Sequence, residues 1–89
     1  MVTWEIILTK QAEKDQKLLK RANLGKKAQK LLSEIKKDPY IIPPPLEKMR
    51  ANLYGKYSRR INIQHRMVYS IEPDNKTIIV YSMFSHYGD

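Results

Sequence analysis

The chain has 89 residues, enough for one small domain over 1–89, and no cysteine, which excludes a disulfide framework and thiolate chemistry. Its 17 lysines and arginines against 9 aspartates and glutamates give a formal charge of +8 and a pI near 9.8, a balance that suits a polyanion, nucleic acid foremost, or an acidic protein. The N-terminal "MVTWEIILTK" holds one apolar run, far too short to cross a membrane and without the charged start and cleavage site of a secretory signal, so a cytoplasmic protein with no membrane role is expected.

Residues 2–8, "VTWEIIL", are rich in β-branched and aromatic side chains and predict a first strand. Thr9 suits the N-cap of a helix whose apolar side carries Ala12, Leu19 and Ala22. "ANLG" at 22–25 breaks that helix. A second follows, with Leu24, Ala28, Leu31, Leu32 and Ile35 at helical spacing, and Pro39 ends it. So short a break predicts a helical hairpin. "DPYIIPPPLEKM" at 38–49 reads as a stiff extended connector without regular structure, because Pro43, Pro44 and Pro45 lack backbone donors. A turn around Gly55 leads into strands at 57–63, 65–71 and 76–84, the last two joined by a turn at Asp74-Asn75. The order β-α-α-β-β-β predicts an α+β fold in which the helical hairpin covers one face of a mostly antiparallel sheet.

The stretch "SRRINIQHRMVYSI" (58–71) sets Arg59, Arg60, His65 and Arg66 among apolar residues. Alternation along a strand sorts them. Arg59 shares a face with Tyr57, Ile61 and Ile63. His65 shares one with Met67 and Tyr69, and is read as structural. Turning these apolar sets toward the helices sends Arg60 and Arg66 to the opposite, open face. The last strand is apolar on both sides, as a central strand would be. If Ile79, Tyr81 and Met83 face the helices, His86 joins the two arginines. Such a group suits an anion, and the planar guanidinium fork suits phosphate in particular. Arginine on an open sheet face also guards against aggregation or pairs with a carboxylate, and pattern alone leaves both readings standing.

The motif set "EKM…NLYGKYSRRI…HRMVY…SHY" resembles the YoeB/Txe branch of the RelE superfamily, the toxins of bacterial type II toxin–antitoxin systems. The resemblance is tightest from Glu47 to Tyr87, and the first 37 residues match in pattern. It implies a microbial-ribonuclease-like α+β fold and an endoribonuclease that cuts mRNA in the ribosomal A site. It also implies neutralisation by a cognate acidic antitoxin, and a homodimer is common among such proteins. Carried over by position, the catalytic carboxylate falls on Glu47, the central arginine on Arg66 and the C-terminal histidine on His86. Arg60 matches a second phosphate-contacting arginine and Tyr87 the aromatic residue after the histidine. Arg59 is counted with them as an RNA-contacting candidate. Two features depart from the family: Lys48 follows Glu47 where members have proline, and Gly88-Asp89 extend the usual histidine-tyrosine end.

These residues match the roles that metal-independent RNA cleavage needs. Glu47 would be the base for the ribose 2′-OH, Arg66 with Arg60 would hold the phosphate, and His86 would be the acid for the leaving oxygen. Imidazole suits that last role because it titrates near neutrality. No cofactor and no metal are expected, since the two histidines and scattered carboxylates show no ligand spacing. The helix lysines are candidates for gripping ribosomal RNA, and for any one of them solvation of the helix surface is the better reading. Two other functions fit the charge and fold: a basic RNA-binding module that cuts nothing, and a ParE-like toxin directed at DNA gyrase.

Overall fold

The computed structural model describes residues 3–41, 47–48 and 55–86, with the backbone alone described at 47, 85 and 86. Strand β1 (Glu5–Leu8) leads into helices α1 (Lys10–Arg21) and α2 (Gly25–Lys37). Strands β2 (Glu47–Lys48), β3 (Tyr57–Arg60), β4 (His65–Glu72) and β5 (Thr77–His86) follow. Among the described residues these strands form one sheet in the order β1-β5-β4-β3-β2. β1 runs parallel to β5 and every other pairing is antiparallel. The fold is therefore α+β, with the doubly apolar β5 in the interior of the sheet, as its sequence requires.

The Thr9 hydroxyl accepts from the Ala12 amide at 3.1 Å and donates to the Tyr81 carbonyl at 3.0 Å, so one side chain both caps α1 and ties it to β5. α1 stops where Asn23 takes a left-handed φ of 61°. The buried stripe of α1 is Ala12, Asp15 and Leu19. Ala22, expected in that stripe, is exposed because it lies at the C-cap. α2 buries Ala28, Leu31, Leu32 and Ile35 as its periodicity predicts, and its last turn carries Lys36 and Lys37 where cations suit the helix dipole. These side chains meet Met67 and Tyr69 of β4 and Ile78, Val80 and Met83 of β5 in the core. Removing one such side chain, Leu19→Ala for example, would cost about 3 kcal/mol.

Two expectations need correction. The 38–49 segment does contain regular structure: Glu47 and Lys48 pair with Ser58 and Tyr57, since the three prolines end just before them and their amides are free to join a ladder. The β4–β5 connection does run through Asp74-Asn75, which sit in a 3₁₀ turn at Pro73–Asn75 closed by left-handed Lys76. The phase of β5 differs as well. Ile78 and Val80 are buried in the core, together with Met83, whereas Ile79 and Tyr81 are half-buried. The cause is a pair of register shifts between Arg66 and Tyr69, each adding a residue on the β5 side. Parity arguments fail across such insertions.

Candidate active site

The sheet register decides which chain-distant residues become neighbours. Glu47 is the Cα partner of Ser58, Arg60 of Arg66, Arg66 of Ser85, and His65 of His86. Directly opposed residues on paired strands share a face. Ser58, Arg60, Arg66 and Val68 thus lie on the face opposite Arg59, Met67 and Tyr69. Arg60 is exposed. Arg66 is 8% exposed, and its Nη1 donates to the Ser58 hydroxyl at 3.4 Å, a long hydrogen bond. This face is less open than sequence parity suggests, because Ser58, Val68 and Ser70 are buried too. The backbone of Glu47 sits opposite Ser58, the residue that accepts from Arg66. The backbone of His86 follows Ser85, the register partner of Arg66, and itself opposes His65, so position 86 falls in the strand phase of His65 and not, as sequence parity has it, in that of Arg60 and Arg66. The side chains of Glu47 and His86, together with Tyr87, lie outside the described residues.

Arg59 takes a different place from the one expected. It is fully buried. Its Nε donates to the Tyr69 hydroxyl at 2.6 Å and its Nη2 to the Pro39 carbonyl at 2.9 Å, while the Tyr69 hydroxyl donates to the same carbonyl at 3.0 Å. Burial raises the Tyr69 phenol above its ordinary value, and the Arg59 hydrogen bond and charge pull it part of the way back. A buried guanidinium engaged in this way holds the end of α2 to the sheet and does not present itself to RNA. The RNA-contact expectation for Arg59 is therefore corrected, and strand parity gives the physical reason, since Arg59 alternates with Arg60.

His65 is buried and stacks on Phe84, with ring centroids 4.1 Å apart, in keeping with its structural reading. Lys56 lies over the Tyr81 ring at 4.7 Å, and the Tyr81 hydroxyl shares a 3.1 Å hydrogen bond with Ser70. A separate concavity at the elbow of the helices is lined by Lys17, Lys20, Lys26 and the side chains of Gln16, Asn23 and Gln29. Among the described residues no group of three or more His, Asp or Glu side chains comes together in a way that could hold a metal ion, and no helix is long and apolar enough to cross a membrane.

Asp15 went unnoticed in the sequence. It is 4% exposed. Its Oδ2 accepts from the Met83 amide at 2.9 Å and the Phe84 amide at 3.3 Å, and its Oδ1 accepts from Gln11 Nε2 at 2.8 Å. A signal was present: Asp15 stands three residues after Ala12 and four before Leu19, in the middle of an apolar stripe, where a charge survives only with partners.

A family model described as the YoeB-like toxin of bacterial type II toxin-antitoxin systems matches residues 4–87. Toxin YoeB of Synechocystis sp. is 40% identical over 75 residues, covering 84% of this chain and 78% of that protein. A chain of the YoeB-YefM complex from Staphylococcus aureus superposes with a TM-score of 0.78 at 34% identity, covering 97% of this chain and 100% of that chain. The YoeB dimer from Staphylococcus aureus gives a TM-score of 0.79 at 35% identity over the same shares.

Proposed function

The chain belongs to the YoeB-like toxins of bacterial type II toxin–antitoxin systems, and we propose that it acts in the cytoplasm as a metal-independent endoribonuclease that cuts mRNA in the ribosomal A site. Glu47 removes the proton of the ribose 2′-OH, and the resulting oxygen attacks the adjacent phosphorus. Arg66, assisted by Arg60, neutralises the charge that builds on the phosphorane. His86 protonates the departing 5′-oxygen. The products are a 2′,3′-cyclic phosphate and a free 5′-hydroxyl, and Tyr87 stacks on a base beside the cut. Each acid–base partner contributes roughly 10²–10⁴ to the rate.

The observation that carries this reading is the sheet register. Three residues lie on the strands around Arg66: Glu47 opposite its acceptor Ser58, Arg60 opposite Arg66 itself, and His86 one step past Ser85, the other neighbour of Arg66, where the register pairs it with His65. The cationic elbow with Lys17, Lys20 and Lys26 supports docking on ribosomal RNA. The related Staphylococcus aureus toxin has been solved with YefM and as a dimer. For this chain the same reading supplies an acidic antitoxin, matched to its charge of +8, and a homodimer.

Induction in a bacterial host tests it. Wild-type protein should arrest growth and leave mRNA cut within translated codons on a primer-extension map, and His86→Ala should do neither. A His86→Ala protein that stays fully toxic would overturn the assignment. Salt-dependent RNA affinity without cutting would point to a binding module, and gyrase-linked DNA breaks with intact mRNA to a ParE-like toxin.

A further inference from the structure

We propose that Asp15 is a positioning residue for the reaction proposed above, on which this inference rests: from α1 it holds the irregular end of β5 and so sets where His86 is delivered. Leu8, the last residue of β1, pairs with Val80. Beyond Val80 the flank of β5 that β1 had covered is taken over by α1 and the residue before it. The Thr9 amide donates to the Val80 carbonyl at 3.0 Å and the Thr9 hydroxyl to the Tyr81 carbonyl at 3.0 Å. Asp15 then accepts from the amides of Met83 and Phe84. Side chains of the Thr9–Asp15 stretch stand in for a strand that is too short.

Two consecutive amides do not point at one acceptor in a regular strand, because successive N–H groups alternate in direction. Here they do, since Met83 and Phe84 together oppose Met67 between the pairs Val68–Ser82 and Arg66–Ser85. A bulge leaves two donors on one side, and a carboxylate oxygen is the acceptor suited to both. The bulge also fixes the register beyond it, in which Ser85 opposes Arg66 and His86 opposes His65. Phe84, held through its amide by Asp15, stacks on that same His65. Asp15 thus grips the chain two residues before His86 on one side, and the His65–Phe84 stack grips it on the other.

The test compares Asp15→Ala and Asp15→Asn in the full-length toxin on mRNA-programmed ribosomes, well below the melting temperature of each variant. Asp15→Ala should lower kcat by about 10²-fold with KM unchanged, and Asp15→Asn, which keeps one carbonyl oxygen for the two amides, by about tenfold. A purely structural role would lower the melting temperature and leave kcat of the folded protein alone. The chain has two histidines, so the His86 ring signal can be followed by NMR, and it should shift or broaden in both variants. Gln11→Ala removes the exposed donor to Oδ1 and should give the same kind of change at smaller size, which covers the case of an Asp15→Ala protein that does not fold. Folded variants with wild-type kcat and an unmoved His86 signal would overturn the proposal. If the wild-type protein cuts no mRNA, it is the nuclease reading that fails, and the His86 signal still decides whether Asp15 controls that segment.

Discussion

Arg59 and Arg66 sit on neighbouring strands, one residue out of register, and do opposite things. Arg59 pairs with Met67 and points into the core. There its guanidinium is held at 2.6 and 2.9 Å by a phenol oxygen and a carbonyl. Arg66 pairs with Arg60 on the other face and reaches the Ser58 hydroxyl at 3.4 Å. The residue type is the same, and the alternation of the strand decides whether the side chain enters the core or turns to the opposite face. A guanidinium with short bonds inside a core is spent on the fold. In the proposed reaction it is the guanidinium of Arg66, opposite exposed Arg60, that would take the phosphate.

Substitutions should separate the two. The largest effect is expected from Arg66→Ala, which should cut single-turnover mRNA cleavage by about 10²–10³-fold while leaving the melting temperature near wild type. Next, Arg59→Met should cost about 3 kcal/mol of stability in a denaturant titration, because the Tyr69 hydroxyl and Pro39 carbonyl lose charged donors inside the core. Its folded fraction should still cleave. A stable but inactive Arg59→Met would break the comparison.

Tyr69→Phe should cost about 1 kcal/mol near neutrality. It also has a pH signature. Burial raises the Tyr69 phenol above 10.0 in the folded state, so its contribution is complete below pH 10.0 and is lost as pH climbs through the raised folded value. Tyr69→Phe should therefore flatten the alkaline limb of the stability curve. Arg59→Met, by removing the charge that pulls the phenol down, should push that limb higher. The smallest effect is expected from Arg60→Ala. This exposed arginine should mainly weaken RNA binding and reduce its salt dependence by roughly one counterion.

Much of this arrangement is legible in the sequence, for identifiable reasons. Thr9 as a cap and the stripe from Ala28 to Ile35 are local signals with a fixed period, and the structure follows both. The opposite faces of Arg59 and Arg66 follow from period-2 alternation, which also argues against RNA contact for Arg59. The β2 strand was hidden because two residues carry no periodicity, and their pairing depends on where Tyr57 and Ser58 lie. The phase of β5 was hidden because apolar residues on both sides of Ile78–Met83 mask an inserted residue. Asp15 marks the same blind spot from the other direction: a charge in a buried stripe signals a partner but does not say that the partner is a bulge 68 residues away.

The chemistry of the RNA ends tests the central claim most directly. Fragments made on the ribosome by wild-type protein and by folded Arg59→Met should end in a 2′,3′-cyclic phosphate, and Arg66→Ala should leave the message whole. Ends bearing a 3′-hydroxyl, or an Arg66→Ala protein that cuts as fast as wild type, would contradict the account.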